Sequence, residues 1–302
     1  MNPRTQLIDV EVNDARLDAF RGIRDRELRG IHGLHAIESE RVVRRYLFAA
    51  LTRRTHPIPP LLEPHALLVT PDAAHRLAEI LAEFPSLPVF RGASEVALTA
   101  ITGYTMHSGA IALGVRHTDA TVSLLAAVLA RETDVNRDIL VALDGITQTD
   151  NVGAIFRISA SFGARGVILS PTASDPFLRK SLRVSMGRAL NLPWAHARED
   201  EWPACLDMLR RNHGYTIVAA EDTADAVALA QFRAPTKTIL VLGAEQNGVS
   251  RAVLDMADRV VKIPMRNLAR ADDHIDAHEL ASDATSLNVA VAGAIVLHHL
   301  VS

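Results

Sequence analysis

The stretch Ile139-Leu140-Val141-Ala142-Leu143-Asp144-Gly145-Ile146-Thr147-Gln148-Thr149-Asp150-Asn151-Val152-Gly153-Ala154-Ile155-Phe156-Arg157 decides the fold. Its unbroken apolar opening, Ile139–Leu143, reads as a buried strand, and a polar turn leads into a helix over Val152–Phe162 with Asn151 expected as its N-cap. Phe162-Gly163-Ala164-Arg165-Gly166 then turns the chain into a strand over Gly166–Ser170. The alternation continues: helix Leu178–Ser185, strand Pro193–Arg198, helix Trp202–Asn212, strands Tyr215–Ala220 and Thr238–Leu242, helix Arg251–Ala257, strand Val260–Ile263, and a last helix from about Ser286. Strands interleaved with helices imply a mostly parallel sheet covered on both faces.

Toward the amino terminus, Val42, Val43, Tyr46, Leu47, Ala50 and Leu51 repeat at helical spacing, with Arg41, Arg44, Arg45, Arg53 and Arg54 among or just beyond them. The pattern predicts an amphipathic helix over Ser39–Arg53 with a basic side. A strand at His65–Thr70, a helix opening at Pro71, a strand near Pro88–Arg91, a helix at Ser94–Thr102 and a strand at Ala110–Arg116 complete a small α/β domain, residues 1–116. Residues 117–137, containing an apolar helical segment Val122–Leu129, form the expected linker, and 138–302 the second domain. A chain of 302 residues exceeds the usual single-domain size, so two modest cores are expected.

With 48% apolar and 22% charged residues the chain has the composition of a soluble globular protein. Its net charge of -3 requires any nucleic-acid binding to rest on local basic clusters. Cys205 is the single cysteine, which excludes an internal disulfide, and the Met1-Asn2-Pro3-Arg4 start has no secretion signal; a cytoplasmic location is expected. The apolar run Val289–Leu297 is far shorter than the ~20 residues of a membrane span and reads as a buried helix.

Neither G-x-G-x-x-G nor a phosphate-cradling G-x-x-x-x-G-K-S/T occurs, which disfavours the common Rossmann-type methyltransferase and a dinucleotide oxidoreductase. Three other segments gather small, polar and charged residues at strand ends, where open α/β sheets bind ligands. The first is the opening stretch, with Asn151 and Arg157. The second is Leu242-Gly243-Ala244-Glu245-Gln246-Asn247-Gly248, followed by Ile263-Pro264-Met265; a strand ending in Gly lets a ligand approach the backbone. The third is Ser286-Leu287-Asn288-Val289-Ala290-Val291-Ala292, polar at a helix start with small residues behind. Taken singly, each also fits an ordinary capped helix or turn.

In this order and spacing the segments resemble the three motifs of the SpoU (TrmH-like) class of SPOUT RNA methyltransferases, N-x-G…R…F-G, L-G-x-E-x-x-G…I-P-M and S-L-N-V-x-x-A, over residues from about 139 to 302. Asp175-Pro176-Phe177-Leu178-Arg179-Lys180 and Ser185-Met186-Gly187 are similar to the family's connecting pattern. Ile37–Arg45 and Ile101-Thr102-Gly103 resemble, more weakly, the small RNA-binding domain that many members carry.

The resemblance implies a parallel sheet whose C-terminal segment makes a deep trefoil knot, an exception to the unknotted rule. It implies S-adenosylmethionine as cofactor, its adenosine held by the backbone at Leu242, Gly243, Ile263, Met265 and Leu287. It further implies a homodimer with the catalytic centre at the interface, methyl transfer to a ribose 2′-hydroxyl, and Asn151, Arg157, Glu245, Ser286 and Asn288 as catalytic positions. The family assigns proton removal to the arginine that Arg157 matches, but a guanidinium stays protonated and suits a phosphate fork. Arg157 is therefore read as gripping the phosphate beside the target ribose, with Glu245 orienting Arg157 or Asn151. The apolar breadth of the last helix calls for a second cover, either the first domain folded back within one chain or, as the resemblance implies, a partner chain, with Ala292→Arg expected to disrupt the partner contact.

Ala244 stands where many members have a polar residue, and Arg266–Thr285 is an insertion where the family has a handful of residues. His274 and His278 lie four apart in it among carboxylates, yet the H-E-x-x-H order is absent, so the segment reads as an acidic solvated loop and no metal is assigned. RNA contact is assigned to Arg179, Lys180, Arg183 and Arg188, in a stretch without acidic residues, and to Arg41, Arg44 and Arg45. Ribosomal RNA is the expected substrate; the alternatives are the same chemistry on transfer RNA, or a non-catalytic RNA-binding or ribosome-assembly protein of the same fold.

Overall fold

The computed structural model describes residues 6–21, 33–55, 62–106, 108–116, 120–130, 137–265 and 286–302, with the side chains of 53–55 left aside. The strands are β1 (Leu7–Asp9), β2 (Leu34–Glu38), β3 (Leu62–Val69), β4 (Val89–Arg91), β5 (Ala110–Arg116), β6 (Asp138–Asp144), β7 (Gly166–Leu169), β8 (Trp194–His196), β9 (Thr216–Ala220), β10 (Val227–Ala228), β11 (Lys237–Gly243) and β12 (Arg259–Lys262). The α-helices are α1 (Glu40–Thr55), α2 (Pro71–Leu81), α3 (Glu95–Thr102), α4 (Val122–Leu129), α5 (Thr149–Ser161), α6 (Arg179–Val184), α7 (Ala204–His213), α8 (Arg251–Met256) and α9 (Val289–Val301).

The first half is a mixed sheet in the order β1-β4-β3-β5-β2, and the second a fully parallel sheet in the order β10-β12-β9-β11-β6-β7-β8. Thr70 and Ser94 cap α2 and α3 through their hydroxyls. Strand order reverses between β6 and β11, and the carboxyl ends of those two strands are where such a sheet opens a crevice. The α/β class with a parallel sheet thus stands as expected.

The cores depart from the expectation of two separate units. One apolar cluster joins Val42, Tyr46, Leu47 and Val69 of the first half to Val141, Phe156, Trp194 and Leu297 of the second. A second lines the opposite face of the parallel sheet, and a third the outer face of the mixed sheet. Polar ties run along the same seam: Arg116 pairs with Asp175 at 2.5 Å, both mostly buried, and His35 Nδ1 meets the Phe177 carbonyl at 3.2 Å. Cys205 lies in the second cluster, where burial pushes its thiol up to about 12, so it is not a nucleophile at neutral pH. Among the described residues no helix is long and apolar enough to cross a membrane.

Candidate functional site

The turn after β11 is shaped by four contacts. Gly243 ends the strand so close to the returning loop that a Cβ would fall 2.1 Å from Gly248 C and 2.2 Å from Val249 N. Gly248 is left-handed at φ +63, closing the turn with its N–H donating to the Ala244 carbonyl at 2.7 Å. Beyond it, the Val249 N–H donates to Glu221 Oε2 and the Ser250 N–H to Asp144 Oδ2, each at 2.7 Å. Carboxylates from the ends of β9 and β6 therefore hold the far side of the loop.

An open pocket of 420 Å³ lies against this loop. Leu242, Gly243, Ile263, Met265 and Leu287, the residues singled out for a cofactor, all line it, together with Glu245 and Ser286. Small and apolar side chains, Val261, Val289, Ala292 and Val296, supply further wall, while Glu221 and Asp222 add carboxylates at the rim. Asp222 faces Lys262 Nζ at 3.2 Å. Ala292, offered by the sequence as a partner contact, stands on this wall.

Asn288 joins the three motifs. It caps α9, its Oδ1 accepting from the Ala290 and Val291 N–H groups at 3.0 and 3.4 Å. Its Nδ2 donates to Asn151 Oδ1 at 2.9 Å and to Glu245 Oε1 at 2.7 Å. Every hydrogen-bonding position of the amide is used, so capping the helix fixes which way the donor points. Glu245 orients Asn151 through this bridge and does not bond to it directly. The expected N-cap role of Asn151 is corrected: α5 begins three residues earlier, Gln148 holds the cap position, and Asn151, buried in the first turn, donates to Gln148 Oε1 at 3.2 Å. Ser286 is exposed at the pocket edge and does not cap α9.

Arg157 is not part of this cluster. It lies exposed on α5, and its guanidinium has no hydrogen-bond or ion-pair partner among the described residues. The basic residues assigned to RNA divide in two. Arg179 faces Glu38 at 3.6 Å and stacks over the Tyr104 ring at 4.0 Å, Lys180 pairs with Asp150 at 2.7 Å, and Arg44 reaches Glu40 at 3.8 Å and donates to the Arg76 carbonyl. Arg41, Arg183 and Arg188 have no acidic partner among the described residues, and Arg45 donates to the Met186 carbonyl. Segment 266–285, with His274 and His278, lies outside the described residues.

Glu221 and Asp144 are the residues the sequence reading missed. Each follows or ends a strand, which is the one signal available, but their backbone partners are distant in sequence. Glu221→Ala is expected to raise amide hydrogen exchange at Val249 about ten- to a hundredfold, the loss of a charged hydrogen bond, while Glu221→Gln keeps most of the protection. Unchanged protection in the alanine variant would mean that the Gly243 crossing alone holds the loop.

Comparison with known proteins adds the context. The family model described as SpoU rRNA Methylase family matches residues 138–298. An uncharacterised tRNA/rRNA methyltransferase of Mycobacterium tuberculosis H37Rv is 28% identical over 95% of this chain and 88% of its own length. Among solved structures, an AdoMet-bound rRNA methyltransferase from Sinorhizobium meliloti superposes with a TM-score of 0.72 at 19% identity, covering 97% of both chains. The SpoU methyltransferase AviRb from Streptomyces viridochromogenes, in complex with AdoMet, gives 0.68 at 22% identity, covering 95% of this chain and 98% of that one.

Proposed function

The chain belongs to the SpoU rRNA methylase family, and on that premise we propose that it moves a methyl group from S-adenosylmethionine to a ribose 2′-hydroxyl of RNA, with ribosomal RNA as its substrate. The observation that carries the reading is the Asn288 amide, which ties Asn151 to Glu245 at the edge of a pocket lined by Gly243, Ile263 and Leu287. The pocket suits the cofactor: apolar wall and open strand-end backbone for an adenosine, and the carboxylates Glu221, Asp222 and Glu245 for a cationic ligand. S-adenosylmethionine supplies a methyl group on a positively charged sulfur, a donor already reactive. What remains for the protein is alignment and charge. Asn151, Asn288 and Glu245 fix a rigid polar edge, and Arg157, with no carboxylate to satisfy it, takes the phosphate beside the target ribose. Mapping 2′-O-methyl positions in total RNA with and without the gene tests this; identical maps, or a lost methyl on a base or on transfer RNA, would overturn the corresponding part.

The active form in this reading is a homodimer. Support comes from α9, where Val291 and Ile295, one turn apart on one face, remain 48% and 40% exposed. The other apolar faces of α9 pack on the chain's own core or the pocket. In this reading the C-terminal segment is threaded as a knot, and α9 packs closely on β11, where a Cβ on Gly293 would fall 2.9 Å from Leu242 Cδ1. Ile295→Arg, which spares the pocket, is expected to give a folded species sedimenting near 32.8 kDa that binds cofactor and has lost methyl transfer. A fully active species of that mass, in the variant or the parent protein, would refute the dimer.

A further inference from the structure

Helix α1 carries Arg41, Arg45 and Phe48 at spacings of four and three, which sets them on one face. Arg45 is half-buried at the seam between the two halves, its guanidinium donating to the Met186 carbonyl. The turn it meets is tightly made. Met186 and Gly187 are both left-handed, at φ 53 and 74, and a Cβ on Gly187 would sit 3.2 Å from Val42 Cγ1 and 3.3 Å from Arg45 Cδ. Glycine suits this left-handed position, where a side chain would be strained and its neighbours on the helix would have to give way, and the next residue the turn delivers is Arg188. Arg45 loses its proton more easily than an ordinary arginine, through burial first and then the charges of Arg188 and Arg41.

Three guanidiniums are thus gathered with no carboxylate bonded to any of them among the described residues, whereas Arg44, Arg179 and Lys180 are each answered by a glutamate or aspartate. Like charges held together favour an anion. One turn along the same face, Phe48 leaves 61% of its surface in water. A cationic row ending in an exposed aromatic ring has the two components of single-strand recognition, charge for the backbone and a ring for a base. The short helix after the turn, Arg188–Leu190, packs against α5, which carries Arg157.

We propose that the seam between α1 and the Met186–Arg188 turn is an RNA docking site, in which Arg41, Arg45 and Arg188 hold backbone phosphate and Phe48 stacks on an unpaired base. This rests on the reading of the protein as an RNA-modifying enzyme and assigns that RNA a single-stranded segment at a defined place.

The test is fluorescence anisotropy of the full-length protein with a fluorescein-labelled unstructured RNA of about 20 nucleotides, long enough for such a site, and with the same strand in duplex. Arg41→Ala with Arg188→Ala is expected to weaken single-strand binding at least about tenfold and to reduce the salt slope by roughly two. Phe48→Ala is expected to weaken it about tenfold with the slope unchanged and duplex binding unaffected. Arg211→Ala, on α7 and paired with Asp207 at 2.7 Å, serves as the control and should stay within about twofold. Native S-adenosylmethionine affinity in each variant shows that the fold is intact. Unchanged RNA affinity in the double variant, or equal loss of single strand and duplex on Phe48→Ala, overturns the site while leaving methyl transfer by the parent protein standing. A parent protein that neither binds nor methylates RNA overturns both readings. Comparable affinity for a labelled poly-glutamate peptide, lost in the same variants, would assign the seam to an acidic protein instead.

Discussion

Gly243→Ala is expected to abolish cofactor binding and to destabilise the protein by about 3 kcal/mol or more. The added methyl would fall 2.1 to 2.3 Å from the carbonyl of Gly248 and the nitrogen of Val249, all backbone, so no rotamer change relieves the clash. The loop must lift, and lifting it strains the hydrogen bonds that Val249 and Ser250 make to Glu221 and Asp144. The pocket wall from Gly243 to Gly248 moves with it. A control separates this from the general cost of altering a glycine. Gly214 ends α7 at φ +75 with open space around its would-be Cβ, so Gly214→Ala should cost only about 1 to 2 kcal/mol from its left-handed backbone and leave binding intact. Thermal melting and calorimetry with S-adenosylmethionine report both quantities; near-native affinity in Gly243→Ala would remove the loop crossing from the account.

Arg157→Ala is expected to lower methyl transfer about a hundred- to a thousandfold, the scale of losing one preorganised charge from a reacting centre, while cofactor affinity stays within about twofold. The two effects separate because Arg157 stands apart from the pocket wall and makes no bond to Asn151, Glu245 or Asn288. Nor should the substitution cost stability, since the exposed guanidinium has no partner among the described residues to lose. Arg157→Lys keeps the charge but not the planar fork and should recover only part of the rate. Full activity in the alanine variant would strike Arg157 from the catalytic positions.

The parallel sheet was legible because its strands are continuous apolar runs, as β6 and β11 show, and buried parallel strands need no alternation. β2 was not, since Leu34-His35-Ala36-Ile37-Glu38 places a histidine and a glutamate among residues that are all buried. His35 is accommodated there by the Phe177 carbonyl, and Glu38 faces Arg179, partners far away in the chain. The site was legible as a set of positions but not as a network. The resemblance to the family brought forward Asn151, Glu245 and Asn288, yet which of them bridges the other two depends on the α9 cap. The misplaced start of α5 has a similar cause: Thr149 and Asp150 look like turn residues, but an acidic residue in a first turn favours the helix. For the basic residues the sequence supplied the charge, and only the fold supplied the carboxylates that cancel part of it.

The apolar cluster that runs from α1 through the seam to Trp194 and Leu297 bears on how substrate choice could change over evolutionary time. A detachable recognition module can be exchanged between relatives as a unit. Here Val42, Tyr46 and Leu47 share one interior with the parallel sheet, so an imported first half would arrive with mismatched packing at every shared position. New targets are reached more readily by altering exposed side chains on a retained scaffold, one surface residue at a time.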